Sequence, residues 1–143
     1  MATLNPHLNF PGNTEEAFNF YKSVFGGEFT ELRRFSDYAD TVNVPEEAKH
    51  QIMHISLPLG PKNLLMGTDA PESMGFKLSS GNNFSILLNV ESEDEGKHLF
   101  NRLSSGGSVS MDLQKTFWGA FYGMCTDKYG IQWMINYMYE QNR

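Results

Sequence analysis

His54 is the side chain with the most chemistry to offer. It lies in Gln51–Leu59, QIMHISLPL, an alternating run that puts Ile52, His54 and Ser56 on one face and Met53, Ile55 and Leu57 on the other. An imidazole there can act as an acid/base or as a hydrogen-bonding group on a binding surface. It can equally be a core histidine satisfied by a neighbour, and the sequence assigns it no carboxylate partner. His7 follows Pro6 and can face either way, while His50 and His98 read as solvated. Trp118, between Phe117 and Gly119, either stacks on a flat ligand or fills the core. Tyr122, Gln114 and Asp69 can add polar contacts, although Asp69 also reads as a turn cap. Met66, Met124 and Met134 suit lining rather than reaction. Cys125 has no activating neighbour and is expected to be an inert buried thiol. Arg33 and Arg34 are adjacent on a strand, so at most one serves a given face. The acidic runs Glu46-Glu47 and Glu93–Glu95 read as helix starts, and no P-loop, dinucleotide fingerprint, nucleophile elbow or Cys-x-x-Cys occurs.

A single compact domain must position these groups, in a chain of 143 residues that are 40% apolar and 13% aromatic. A formal charge of −6 argues against a nucleic-acid partner. No apolar run reaches the roughly 20 residues of a membrane span. One cysteine and no signal-like start point to a cytoplasmic protein.

The strongest pattern is Lys115–Met138, a β-hairpin with strands about Phe117–Cys125 and Ile131–Tyr137 around a turn at Thr126–Gly130. Upstream, Leu4–Phe10 reads as a strand, and Asn13 or Thr14 caps a helix running to Phe25 with Ala17, Phe18, Tyr21, Val24 and Phe25 as its buried stripe. Glu28–Phe35 follows as a strand with Phe29 and Leu32 inward, then a polar loop over Ser36–His50 with one helical turn at Pro45–Ala48. Gln51–Leu59 and Asn63–Thr68 form a strand pair. The order then repeats: strand Asn83–Val90, a helix capped by Ser92 and ending at Gly106-Gly107, strand Ser108–Leu113, hairpin. Asn13 and Ser92 are 79 apart (92 − 13), as are Gly27 and Gly106 (106 − 27). Two βαβββ modules, about 3–68 and 83–138 with a linker at 69–82, predict an α+β fold in which they form a curved, partly open mixed β-barrel.

EEAFNFYKSVFGG (Glu15–Gly27), the strand around His54, LLMGTD (Leu64–Asp69) and above all FWGAFYGMCTDKYGIQWMIN (Phe117–Asn136) resemble the PhnB-like, demethylubiquinone-methyltransferase-like branch of the vicinal oxygen chelate superfamily, which holds glyoxalase, the fosfomycin-resistance proteins and extradiol dioxygenases. The resemblance covers nearly the whole chain and implies a glyoxalase/dioxygenase-like fold, a homodimer, and a cup in each module pair. Metal-using members place a His, Glu or Gln on each of four strands. The corresponding positions here are Pro6, Met66, Ser85 and Met134, or His7, Leu65, Phe84 and Trp133 if the register slips by one. Neither set suits a hard or borderline metal, so no metal and no cofactor is expected. The methyltransferase label finds no glycine-rich nucleotide turn. What remains is a homodimeric small-molecule binding protein with a cup lined by His54, Trp118, Tyr122, Met66, Ser85, Met134, Gln114 and Asp69. The alternative is a lyase, transferase or isomerase acting on a small oxygenated substrate with His54 as acid/base.

Overall fold

The computed structural model describes residues 1–40 and 42–139. Thr41, within the expected loop, and residues 140–143 lie outside that description. The chain divides into two units, 1–79 and 80–143. The first contains β1 (His7–Phe10), α1 (Thr14–Phe25), β2 (Glu31–Arg34), β3 (Ile52–Pro58) and β4 (Leu64–Asp69). The second contains β5 (Ile86–Asn89), α2 (Glu93–Ser104), β6 (Ser108–Lys115), β7 (Ala120–Thr126) and β8 (Gln132–Met138). Each is a βαβββ module. The sheet orders are β1-β4-β3-β2 and β5-β8-β7-β6, with one parallel pair each, β1/β4 and β5/β8. The helices start 79 residues apart (93 − 14) and end 79 apart (104 − 25), the spacing read from the caps.

Most of the amphipathic stripe predicted for α1 packs: Ala17, Phe18, Tyr21 and Val24 are buried, while Phe25 is only half-buried. Each larger member contributes about 1.5–3 kcal/mol by leaving water. The helix presses close enough to β4 that a Cβ on Gly67 would lie 2.5 Å from Cε1 of Phe18. Only glycine fits there without displacing a ring. In the second module α2 packs on β7 and β8. A Cβ on Gly123 would lie 2.9 Å from Cε1 of Phe100, and one on Gly96 would lie 3.3 Å from Ile135. These contacts mark the helix-covered face of each sheet, and strand alternation places the remaining residues on the other.

The structure corrects several expected boundaries. β1 begins at His7, after Pro6, and β2 begins only at Glu31. Leu32 is exposed rather than inward-facing. Arg33 pairs with His54 but Arg34 with Ile52, a β-bulge that leaves Met53 over. The bulge breaks the simple alternation: Ile52 is buried, and Met53 packs against Phe35, Val44 and Ala48. A short 3-10 turn, Phe35–Tyr38, opens the segment read as loop, and a second stands at Glu46–Ala48 as anticipated. The stretch read as a linker starts inside β4, since Asp69 is that strand's last residue, and carries another 3-10 turn at Glu72–Met74. Phe117–Gly119 is not strand. Thr116 N donates to Ala120 O, Gly119 takes a positive φ of 90°, and β7 begins after it. The hairpin β7–β8 is otherwise as read, with Gly130 at φ 92° in its turn. That turn is tied by Asp127, whose Oδ1 accepts from the Tyr129 and Ile131 amides while Oδ2 accepts from the Trp133 indole at 2.8 Å.

Candidate functional site

The face of the first sheet turned away from α1 collects titratable groups. Register runs His7↔Met66, Met66↔Ser56, Ser56↔Glu31 and His54↔Arg33, so four strands contribute to it. Regular pairing of β2 with β3 sets Glu31 opposite Ser56 and diagonal to His54: Oε1 stands 3.2 Å from Nε2. Ser56 Oγ lies 3.0 Å from the same nitrogen. Both partners therefore meet one ring atom. A relay of the serine-histidine-acid kind needs the acid and the hydroxyl on opposite nitrogens, and this arrangement is not one. Ser56 is also buried, and this cluster can hold or move a proton at His54 rather than activate a serine for attack. His7 stacks beside His54, centroids 5.9 Å apart and planes 29° off parallel. Partial burial, and then the neighbouring His54 charge, push the His7 pKa below the ordinary imidazole value. Arg33 leans toward Glu31 at 3.8 Å. Arg34, past the bulge, makes a two-pronged pair with Glu15 of α1, which draws the Glu15 carboxyl pKa down.

Of the residues singled out from the sequence, Asp69 belongs elsewhere. It is 1% exposed. Oδ1 accepts from the backbone N–H and the hydroxyl of Thr14, at 3.0 and 2.7 Å, and Oδ2 from the Ile52 N–H at 2.8 Å. The carboxylate thus serves the start of α1, where an anion suits the helix dipole, and it does not reach a rim. It takes the capping role expected of Asn13 or Thr14: the Asn13 side chain makes no cap hydrogen bond, and the Thr14 hydroxyl itself donates to Asp69. Ser92 does cap its helix, accepting from Glu95 N at 3.0 Å.

The corresponding face of the second sheet carries Tyr122, Met124, Met134, Gln114 and, over the β6–β7 turn, Trp118. Trp118 is 49% exposed and meets Tyr122 edge-on with centroids 5.9 Å apart. Met124 pairs with both Met111 and Met134, and Tyr122 with both Gln114 and Asn136. Ser85 falls just before β5. The β5 residue opposite Met134 is Leu87, 47% exposed. Cys125 points to the covered side and is buried. Burial first, and then the charge of Asp127, push its thiol pKa up to about 11.

For a metal of the kind the superfamily uses, the donors do not fit. On the first strand the residue sharing a face with Met66 is His7, not Pro6, which brings one imidazole to the set. Among the described residues no three His, Cys, Asp or Glu side chains gather to hold an ion. The second face offers thioethers, amides and a phenol, which are poor ligands for a divalent ion that prefers nitrogen and charged oxygen.

Residues 2–136 match the family model described as 3-demethylubiquinone-9 3-methyltransferase. The chain belongs to that PhnB-like family. It is 28% identical to Protein YjdN of Escherichia coli (strain K12), over 96% of this chain and 97% of that one. Protein PA1353 from Pseudomonas aeruginosa has a crystal structure that matches with a TM-score of 0.83 at 37% identity, covering 96% of this chain and 98% of that one. The fold is also that of a glyoxalase/bleomycin resistance protein/dioxygenase family enzyme from Burkholderia phytofirmans PsJN, with a TM-score of 0.61 at 17% identity over 92% and 96% of the two chains. These matches fit the α+β glyoxalase-like reading of the two modules. Glu31 is the site residue that sequence reasoning missed. Its place depends on how β2 pairs with β3, and the alternating run around His54 carries no trace of that register.

Proposed function

We propose that this PhnB-like chain is a small-molecule binding protein, working without a resident metal, whose ligand lies on the helix-free face of the second sheet. The observation that carries this reading is Trp118 standing half-exposed over Tyr122, on the face that also presents the row Met111, Met124, Met134 and Leu87. An amphipathic ring held at the edge of an adaptable thioether floor is a good surface for a flat ligand. Phe117 at 97% exposure and Phe84 at 64% are large apolar groups of the same module that a second copy would cover. We therefore take the working form to be a homodimer, and the single buried thiol suits the cytoplasm. Among the described residues no helix is long and apolar enough to cross a membrane.

A fragment screen read by methionine-methyl NMR tests the reading. Ligands are expected to move the Met111, Met124 and Met134 signals while leaving Met1 and Met74 in place. A library that moves none of the three contradicts it. The methyl transfer in the family description is not adopted, because no residue placed on either face supplies a recognisable methyl-donor site.

The second reading, a lyase, transferase or isomerase, is favoured by the Glu31 carboxylate beside His54. That pairing gives the imidazole the acidic partner an acid/base would use. Its test is His54→Ala: turnover that survives the substitution removes the basis for the reading.

A further inference from the structure

The second sheet's open face is organised in two rows that differ in chemistry. Reading across β6, β7, β8 and β5, one row is Met111, Met124, Met134 and Leu87. The adjacent row, two residues along β7, β8 and β5 and three along the irregular β6, is Gln114, Tyr122, Asn136 and Asn89. No member of either row carries a charge. This contrasts with the first sheet, whose corresponding face holds His7, His54, Glu31 and Arg33. Asn136 Nδ2 donates to Asn89 Oδ1 at 3.0 Å. That bond leaves Asn136 Oδ1 to accept and Asn89 Nδ2 to donate, side by side in the polar row. Trp118 stands beside Tyr122, flanking the polar row on the side away from the methionines.

We propose that this face selects an uncharged, flat ring system that bears a paired donor and acceptor, of the lactam or cyclic amide class, along one edge. The ring plane lies on the methionine row, and the donor–acceptor edge runs along Asn136 and Asn89. The row has no cationic group to meet a carboxylate, and an anion laid there loses its hydration without compensation. A ring lacking polar groups leaves the amides facing apolar surface, which costs affinity in the same way. This inference deepens the binding reading and rests on it.

Calorimetry with three probes tests it: 2-quinolinone, naphthalene, and 2-quinolinone-4-carboxylate. The neutral lactam is expected to bind about tenfold more tightly than naphthalene, the worth of one or two net hydrogen bonds. The carboxylate is expected to bind at least about tenfold more weakly than the lactam. Asn136→Leu should bring the lactam down to the affinity of naphthalene while naphthalene binding persists, and that persistence shows the face is intact. A carboxylate that binds as well as the lactam overturns the neutral class. An Asn136→Leu variant that keeps its lactam preference overturns the role of the polar row. Naphthalene bound with no lactam preference sinks the ligand class alone, and no binding by any probe sinks the binding reading with it.

Discussion

His7 and His54 stack with their ring centroids 5.9 Å apart, although one comes from the first strand of the module and the other from the third. His7 lines up with Ser56 across Met66 of β4, His54 stands two residues from Ser56 on β3, and Glu31 reaches Nε2 of His54 from β2. Two imidazoles this close cannot both become charged without mutual cost.

His7 should therefore titrate below the ordinary imidazole value, first because of partial burial and then because of the His54 charge. His54→Ala removes the second cause and keeps the first. NMR titration of the variant should show His7 moving up while remaining below the ordinary value; an unmoved His7 contradicts the pairing. The sign for stability follows from linkage. The folded chain holds the His7 proton less well than the unfolded one, so the contribution vanishes above the ordinary imidazole range and turns against folding as pH falls through it, near 6.5. His7 remains in contact with solvent, which keeps the effect below about 1 kcal/mol.

Asp69 should be worth far more to stability than to binding. Asp69→Ala strips a partner from the Thr14 amide, the Thr14 hydroxyl and the Ile52 amide at once. Unmet buried donors cost about 1–3 kcal/mol each, and partial rehydration should bring the loss to about 3 kcal/mol. Urea denaturation measures it. A loss under about 0.5 kcal/mol would show that the carboxylate does not anchor α1.

Cys125 should be silent to thiol reagents in the folded protein. Its thiol is buried and its pKa lies at about 11, so thiolate is scarce at pH 8. Ellman's reagent is expected to react only after denaturant is added, with one equivalent per chain. Rapid labelling of native protein would contradict the buried placement.

Local pattern carried most of the fold. The α1 stripe, the Ser92 cap and the turn at Gly130 each depend on neighbours within a few residues, and each was legible. The offset of 79 was visible because Gly27 and Gly106 stand at equivalent places just past the helices, although α1 is capped by Gly26 and α2 by Ser105. The site was less legible because its decisive contacts cross strands. Asp69 caps a helix 55 residues upstream, a pairing that no local window contains. Glu31 meets His54 diagonally across the β2–β3 pairing, 23 residues away in sequence (54 − 31). Trp118 read as strand because it sits among β-formers, but Gly119 and the Thr116–Ala120 closure turn it out over Tyr122. Its exposure follows from that turn, and composition gave no hint of it.

The most direct test of the account is a crystal structure of the protein with the tightest fragment from the methionine NMR screen. The ligand is expected flat against Met124 and Met134, with its edge toward Trp118 and Tyr122 and no ion beside it. A ligand held instead against His54 and Glu31, or one bridged to the protein through a bound metal, would contradict the account.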